Sequence, residues 1–207
     1  ISSAAFFLVG ASIAPGSDLV LEHVGINPTR DGVLTLLRLM GADIEVLAQR
    51  DVGGEPVADL RVRAAPLQGI TIPEAQVPLA IDEFPALFIA AACARGETLL
   101  TGAEELRVKE SDRIQVMADG LQALGVAAEA RADGIRIPGA ASDAGPVARG
   151  GEVDSHGDHR IAMAFSMLAL RAAAPVQITD CANVRTSFPG FPALARGCGL
   201  AISDSEG

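Results

Sequence analysis

Apolar residues along the chain gather in helix-length runs separated by short alternating segments, and the arrangement recurs three times. In the first copy an apolar run over residues 3–14 stops at Pro15-Gly16. The strand-like residues 18–22 follow, then a second helix over 29–40 that ends on Gly41, where a left-handed glycine would close it. The alternation Asp43-Ile44-Glu45-Val46 predicts a strand, with residues 59–63 as its hairpin partner. The second copy predicts a strand at 70–72, a helix over 82–94 ended by Gly96 and a strand at 98–100. A helix over about 109–124 is ended by Gly125, and residues 127–137 form a hairpin turning at Asp133-Gly134. The third copy predicts a helix over 158–173, a strand at 176–179 and a last helix from Phe191 to near Gly199. Helix starts near residues 3, 82 and 158 set a period of about 76 to 80 residues.

Each copy reads as a βαβαββ unit, so the expected fold is an α/β (α+β) domain of three such units. The runs 84–92 and 161–170 are apolar almost continuously, which predicts helices buried on most sides, with mixed sheets outside them. Residues 138–151, rich in Ala, Gly and Pro, read as one long surface loop. No domain boundary is expected within residues 1–207.

Composition narrows the function. The 16 Lys and Arg against 26 Asp and Glu leave a net charge of −10, which argues against a nucleic-acid binder, and no apolar stretch is long enough to predict a membrane span. Trp and Tyr are absent, so stacking platforms for bases are scarce. Cys93, Cys181 and Cys198 are odd in number and far apart, which suggests neither a disulfide framework nor a zinc site and fits a cytoplasmic compartment.

Three segments carry candidate chemistry. In Arg107-Val108-Lys109-Glu110-Ser111-Asp112-Arg113, the expected helix start places Lys109 and Arg113 four apart on one face. Cations in a first turn oppose the helix dipole, so either a bound anion reverses that penalty or Glu110, Asp112 and water neutralise a solvated face. In His156-Gly157-Asp158-His159-Arg160, Asp158 suits an N-cap and Arg160 is again a first-turn cation. A metal site there is disfavoured because no further ligands lie nearby in the sequence. In Ile81-Asp82-Glu83-Phe84-Pro85, Asp82 is either a simple N-cap or, by repeat symmetry with Asp158, part of a convergent cluster. Two carboxylates beside three cations would bind a dianionic molecule and move protons.

These three segments, taken in order with Gly102-Ala103-Glu104-Glu105-Leu106 ahead of Arg107, resemble the EPSP synthase family, and the likeness covers the chain from Ile1 onward. The resemblance is to that family's C-terminal domain. It implies an inside-out α/β domain that closes on a second, N-terminal domain not present here. It also implies transfer of the enolpyruvyl group of phosphoenolpyruvate to the 5-hydroxyl of shikimate 3-phosphate, in aromatic amino acid biosynthesis, with no metal and no organic cofactor. By the same resemblance Asp82 accepts the hydroxyl proton and Glu110 protonates the methylene carbon. Lys109 contacts shikimate 3-phosphate and the reacting centre, Arg113 and Arg160 clamp phosphoenolpyruvate, and His159 lies beside them. Glu105 stands where some relatives direct Asn at the substrate. Thr186 stands where many relatives place a lysine, with Arg185 one step away. Relatives also return their extreme N-terminal segment to this domain, so the third unit is expected to show an open sheet edge.

Alternatives are a UDP-N-acetylglucosamine enolpyruvyl transferase, which shares the fold and the donor, and a non-catalytic anion-binding module. No functional role is expected for His23, Arg30 or the three cysteines.

Overall fold

In the computed structural model, residues 1–140 and 145–203 are described. The first unit runs α1 (Ser2–Ile13), β1 (Asp18–Gly25), α2 (Gly32–Leu39), β2 (Asp43–Val52) and β3 (Glu55–Arg63). The second runs α3 (Phe84–Cys93), β4 (Thr98–Leu100), α4 (Arg113–Ala123), β5 (Glu129–Arg131) and β6 (Gly134–Ile137). The third runs β7 (Gly151–Asp154), α5 (His159–Leu168), β8 (Val176–Thr179), α6 (Val184–Ser187) and α7 (Phe191–Gly197). The sheet orders are β1-β3-β2 and β4-β6-β5, both antiparallel, and β7-β8, which is parallel.

The first helices of the three units, α1, α3 and α5, pack on one another as the centre of the domain. Every residue of α3 is buried, as are Ala5 to Ile13 of α1 and eight of the ten residues of α5. That is why their sequences lack a polar stripe. Close approach needs small residues: a Cβ on Gly10 of α1 would lie 2.7 Å from the Met167 sulfur of α5. Phe7 and Phe191 (ring centroids 5.8 Å apart) fasten α7 of the third unit onto α1 of the first. The sheets face outward, and on the first of them Arg61 grips Asp18 while Arg63 grips Asp43, which holds both carboxyl groups below the usual carboxylate range.

Four expectations need correction. Among the described residues only the second unit has its full complement of strands, its first strand being residues 68–72, which pair with β4 and its approach through single parallel bridges. The third unit has two strands and, among the described residues, no closing hairpin. The expected loop over 138–151 ends in β7, which no alternation announced, and its residues 141–144 lie outside the described part. Helix α2 begins at Gly32 rather than residue 29, because Asn27 folds the preceding residues into a turn: Thr29 N and Oγ1 both donate to its side-chain oxygen (3.0 and 2.9 Å).

A cavity of about 510 Å³ forms an apolar groove on the third unit between α5, β8 and α7, lined by residues such as Leu170, Val176, Ile178, Phe191 and Ile202. No described helix is long and apolar enough to cross a membrane.

Two outcomes follow from the packing. Burial pushes the Cys93 thiol up to about 12, whereas Cys181 and Cys198 are exposed. Alkylation at pH 8 is therefore expected to label two thiols in the folded chain and three after denaturation, read by mass spectrometry. A Cβ on Gly134 would lie 1.9 Å from the Leu100 carbonyl oxygen, inside the β4–β6 pair. Gly134→Ala should cost about 2 kcal/mol or more, seen as a lower urea midpoint at unchanged slope.

Candidate active site

Helices α1 to α5 bring their N-terminal ends to one end of the domain, where residues from all three units touch. Asp82 lies in the turn before α3, and the N-cap of that helix is Glu83, so Asp82 does not cap it. The Asp82 carboxylate is instead surrounded by cations. Its Oδ1 lies 3.7 Å from Lys109 Nζ and 3.5 Å from Arg113 Nη1; its Oδ2 lies 3.4 Å from Arg30 Nη2 and 3.9 Å from Arg160 Nη2. Arg160 also donates to the Asp82 backbone oxygen (2.8 Å) and approaches Glu83 (3.7 Å), a buried carboxylate that accepts from Ser2 Oγ (2.6 Å).

Lys109 is not on a helix. Helix α4 starts at Arg113, capped by Asp112, whose side chain accepts from Gln115 N (3.0 Å). Residues 109–111 span the gap between a 3₁₀ segment (Glu104–Val108) and that cap, with Lys109 extended (φ −80°, ψ −151°). The expectation that Lys109 and Arg113 share a helical face is therefore wrong. An inserted non-helical stretch brings the two to the same carboxylate by another route. Arg107 pins that stretch, donating to Ala132 O (2.8 Å) and to Asp112 (2.6 Å), and buried Leu106 anchors its start. Lys109 Nζ also pairs with Glu105.

Arg113 is 2% exposed and Asp158 is fully buried. The guanidinium meets both Asp158 oxygens through Nε (2.8 Å) and Nη2 (3.4 Å). Asp158 caps α5 as expected, accepting from Arg160 N (2.9 Å), and takes a further bond from Ser111 Oγ (3.1 Å). Two successive left-handed residues, His156 (φ 50°) and Gly157 (φ 70°), turn the chain from β7 into that cap. The anion that offsets the first-turn charge of Arg113 is thus a protein carboxylate from another unit.

Glu110 Oε2 lies within hydrogen-bond distance of His159 Nδ1 (2.8 Å), and its Oε1 lies 3.9 Å from Arg113 Nη2. Glu110, Asp158 and His159 offer ligand atoms within 4.8 Å of one another, a grouping that sequence distance concealed. The Arg113 guanidinium already occupies both carboxylates, so a metal cation there would face a fixed positive charge. The neighbouring His156 is not in that group.

The cluster therefore joins Asp82, Glu105, Lys109, Glu110, Arg113, His159 and Arg160. It does not reach Thr186 or Arg185: Thr186 Oγ1 donates to Asn183 O (2.9 Å), and among the described residues no hydrogen bond or ion pair links either residue to Asp82. It adds Arg30 and Glu83, which sequence reasoning passed over. The repeat held a signal for Arg30, since it precedes the second helix of the first unit as Lys109 precedes that of the second.

Comparison with known proteins supplies the family. A family model described as EPSP synthase (3-phosphoshikimate 1-carboxyvinyltransferase) matches residues 1–194. The 3-phosphoshikimate 1-carboxyvinyltransferases of Alkalilimnicola ehrlichii and Halorhodospira halophila are 70% and 71% identical to this chain, over 100% and 98% of its length. These alignments cover 46% and 44% of those two proteins, so the chain spans about half the length of the relatives it matches. A solved EPSP synthase from Acinetobacter baumannii superposes with a TM-score of 0.97 at 59% identity, covering 99% of this chain and 47% of that one. The enolpyruvyl transferase NikO from Streptomyces tendae shares the fold at 19% identity (TM-score 0.75, covering 99% of this chain and 44% of that one). With the match running through every segment that builds the charged cluster, the chain belongs to the EPSP synthase family.

Proposed function

We propose that the chain is the C-terminal domain of an enzyme that transfers the enolpyruvyl group of phosphoenolpyruvate to the 5-hydroxyl of shikimate 3-phosphate in aromatic amino acid biosynthesis, completed by an N-terminal domain. The observation that carries this reading is the convergence of Arg30, Lys109, Arg113 and Arg160 from three units within 4 Å of one carboxylate. Cations fixed before the reaction stabilise anionic substrates and an anionic transition state without reorganising at the moment of transfer.

In this reading Asp82 takes the proton of the attacking hydroxyl as its oxygen bonds to C2 of phosphoenolpyruvate. Glu110, held by His159, gives a proton to the methylene carbon, forming a tetrahedral intermediate. The Glu110 carboxylate then takes a proton back from the resulting methyl group as the C2–phosphate oxygen bond breaks, and departure of phosphate restores the enol ether. Lys109 reaches shikimate 3-phosphate and the reacting centre, with Glu105 setting its position. Arg113 and Arg160 hold the carboxylate and phosphate of phosphoenolpyruvate. Substrate anions would then share the outward-facing cations with Asp82 and Glu83, while the buried Arg113–Asp158 pair stays in place. No step requires a metal or an organic cofactor.

The apolar groove on the third unit suits a returning N-terminal segment of the other domain, which would cover the free edge of the β7-β8 sheet. The three free cysteines fit a cytoplasmic enzyme.

Two experiments test the reading. The chain alone should show no turnover, and mixing it with its complementary half should restore product formation from phosphoenolpyruvate and shikimate 3-phosphate; a reconstituted protein that binds both but forms no product would contradict it. In that reconstituted enzyme, Asp82→Asn and Glu110→Gln should each lower kcat by about 100-fold or more while KM changes only a few-fold.

A further inference from the structure

Around Asp82 the four cations are not equivalent. Lys109 shares Glu105, Arg113 is matched by Asp158 and approaches Glu110, and Arg160 lies beside Glu83. Arg30 has Asp82 as its one carboxylate partner among the described residues. Its side chain is also 61% exposed, whereas those of the other three are between 2% and 23% exposed.

An exposed pair of this kind adds little to folding. Yet the backbone is built to hold it. The Asn27 side chain fixes the turn ahead of Arg30, itself held by Glu55 (3.0 Å), and Arg30 N donates to Asn27 O (2.9 Å). Gly32 N donates to Leu79 O (3.3 Å), and a Cβ on Gly32 would lie 2.7 to 2.9 Å from the backbone of Leu79 and Ala80. The segments that carry Arg30 and Asp82 are therefore locked against each other, with no room for a side chain between them.

We propose that Arg30 is a positioning residue for Asp82: from the first unit it holds the Oδ2 side of the carboxylate at 3.4 Å, with Arg160 at 3.9 Å, while Lys109 and Arg113 hold the Oδ1 side. The proposal rests on Asp82 as proton acceptor. A proton arriving on Asp82 leaves Arg30 without a counter-charge, whereas Lys109, Arg113 and Arg160 keep theirs. Arg30 thus opposes protonation of Asp82, and the Glu110–His159 pair meets Arg113 through Nη2 rather than the Nη1 that faces Asp82.

The same ionisation is measured in two ways. In the 207-residue chain, the 13C carboxyl resonance of Asp82, assigned by its loss in Asp82→Asn, is followed through pH. Arg30→Gln is expected to raise its midpoint by about half a unit, and Arg30→Lys to leave it within about 0.2. In the chain combined with its complementary half, the acid limb of kcat/KM should move up by the same amount in Arg30→Gln and stay in place in Arg30→Lys. An unmoved carboxyl midpoint in Arg30→Gln overturns the link between the two residues. A midpoint that moves while the rate profile does not overturns Asp82 as proton acceptor, and with it the positioning role. Equal losses of kcat/KM in both variants with an unshifted profile also overturn the proposal, since they mark a contact with substrate or a purely structural part.

Discussion

The buried ion pair between Arg113 and Asp158 is the constraint on which the site depends. Removing two charges from water is expensive, and the cost is met only when geometry and additional hydrogen bonds satisfy both groups. Here Asp158 takes two nitrogens of Arg113, the backbone N–H of Arg160 and the hydroxyl of Ser111. The pair spans the second and third units and joins the first residue of α4 to the cap of α5. Loss of either partner alone would strand a buried charge, at about 3 to 5 kcal/mol. Because both members sit at helix starts, this pair fixes where Glu110, His159 and Arg160 stand.

The site therefore grows out of the threefold repeat. Burying α1, α3 and α5 against one another aligns their N-terminal ends, and the connections leading into α2 and α4 deliver Arg30 and Lys109 to the same place. Aligned helix N-termini make that end of the domain receptive to anions. In this state protein carboxylates occupy those cations. The proposed chemistry adds the substrates' phosphates and carboxylate to these cations, with the Arg113–Asp158 pair left intact, as the second domain closes and water leaves. The apolar groove of the third unit lies elsewhere. It lacks the ionic partners of the charged end, so it is read as packing surface rather than as a place for the reaction.

Much of this was legible in the residues. The repeat period and the glycines at 41, 125 and 199, each with positive φ, announced the units and their helix ends. The uninterrupted apolar character of α3 announced its burial. The motifs around Lys109 and Asp158 announced the chemistry. The local errors share one cause, which is that contacts from another unit decided the outcome. Lys109 looked helical, but the Asp112 cap and the Arg107 anchor hold it extended. Of the two readings open for Asp82, the cap falls away because Glu83 holds that position and four cations claim the Asp82 carboxylate. Glu110 and His159, 49 residues apart in the chain, come within hydrogen-bond distance only in the fold.

The sequence by itself determined the three repeats, the buried helices and the side chains capable of binding anions and moving protons, because hydrophobic period, stop signals and chemical type are local properties. Only the tertiary structure decided which charges meet. It paired Arg113 with Asp158, drew Arg30 onto Asp82 and left Thr186 and Arg185 outside the cluster. Electrostatic energy depends on distance through space, and three units separated along the chain come within 4 Å of one another only when their helices are packed.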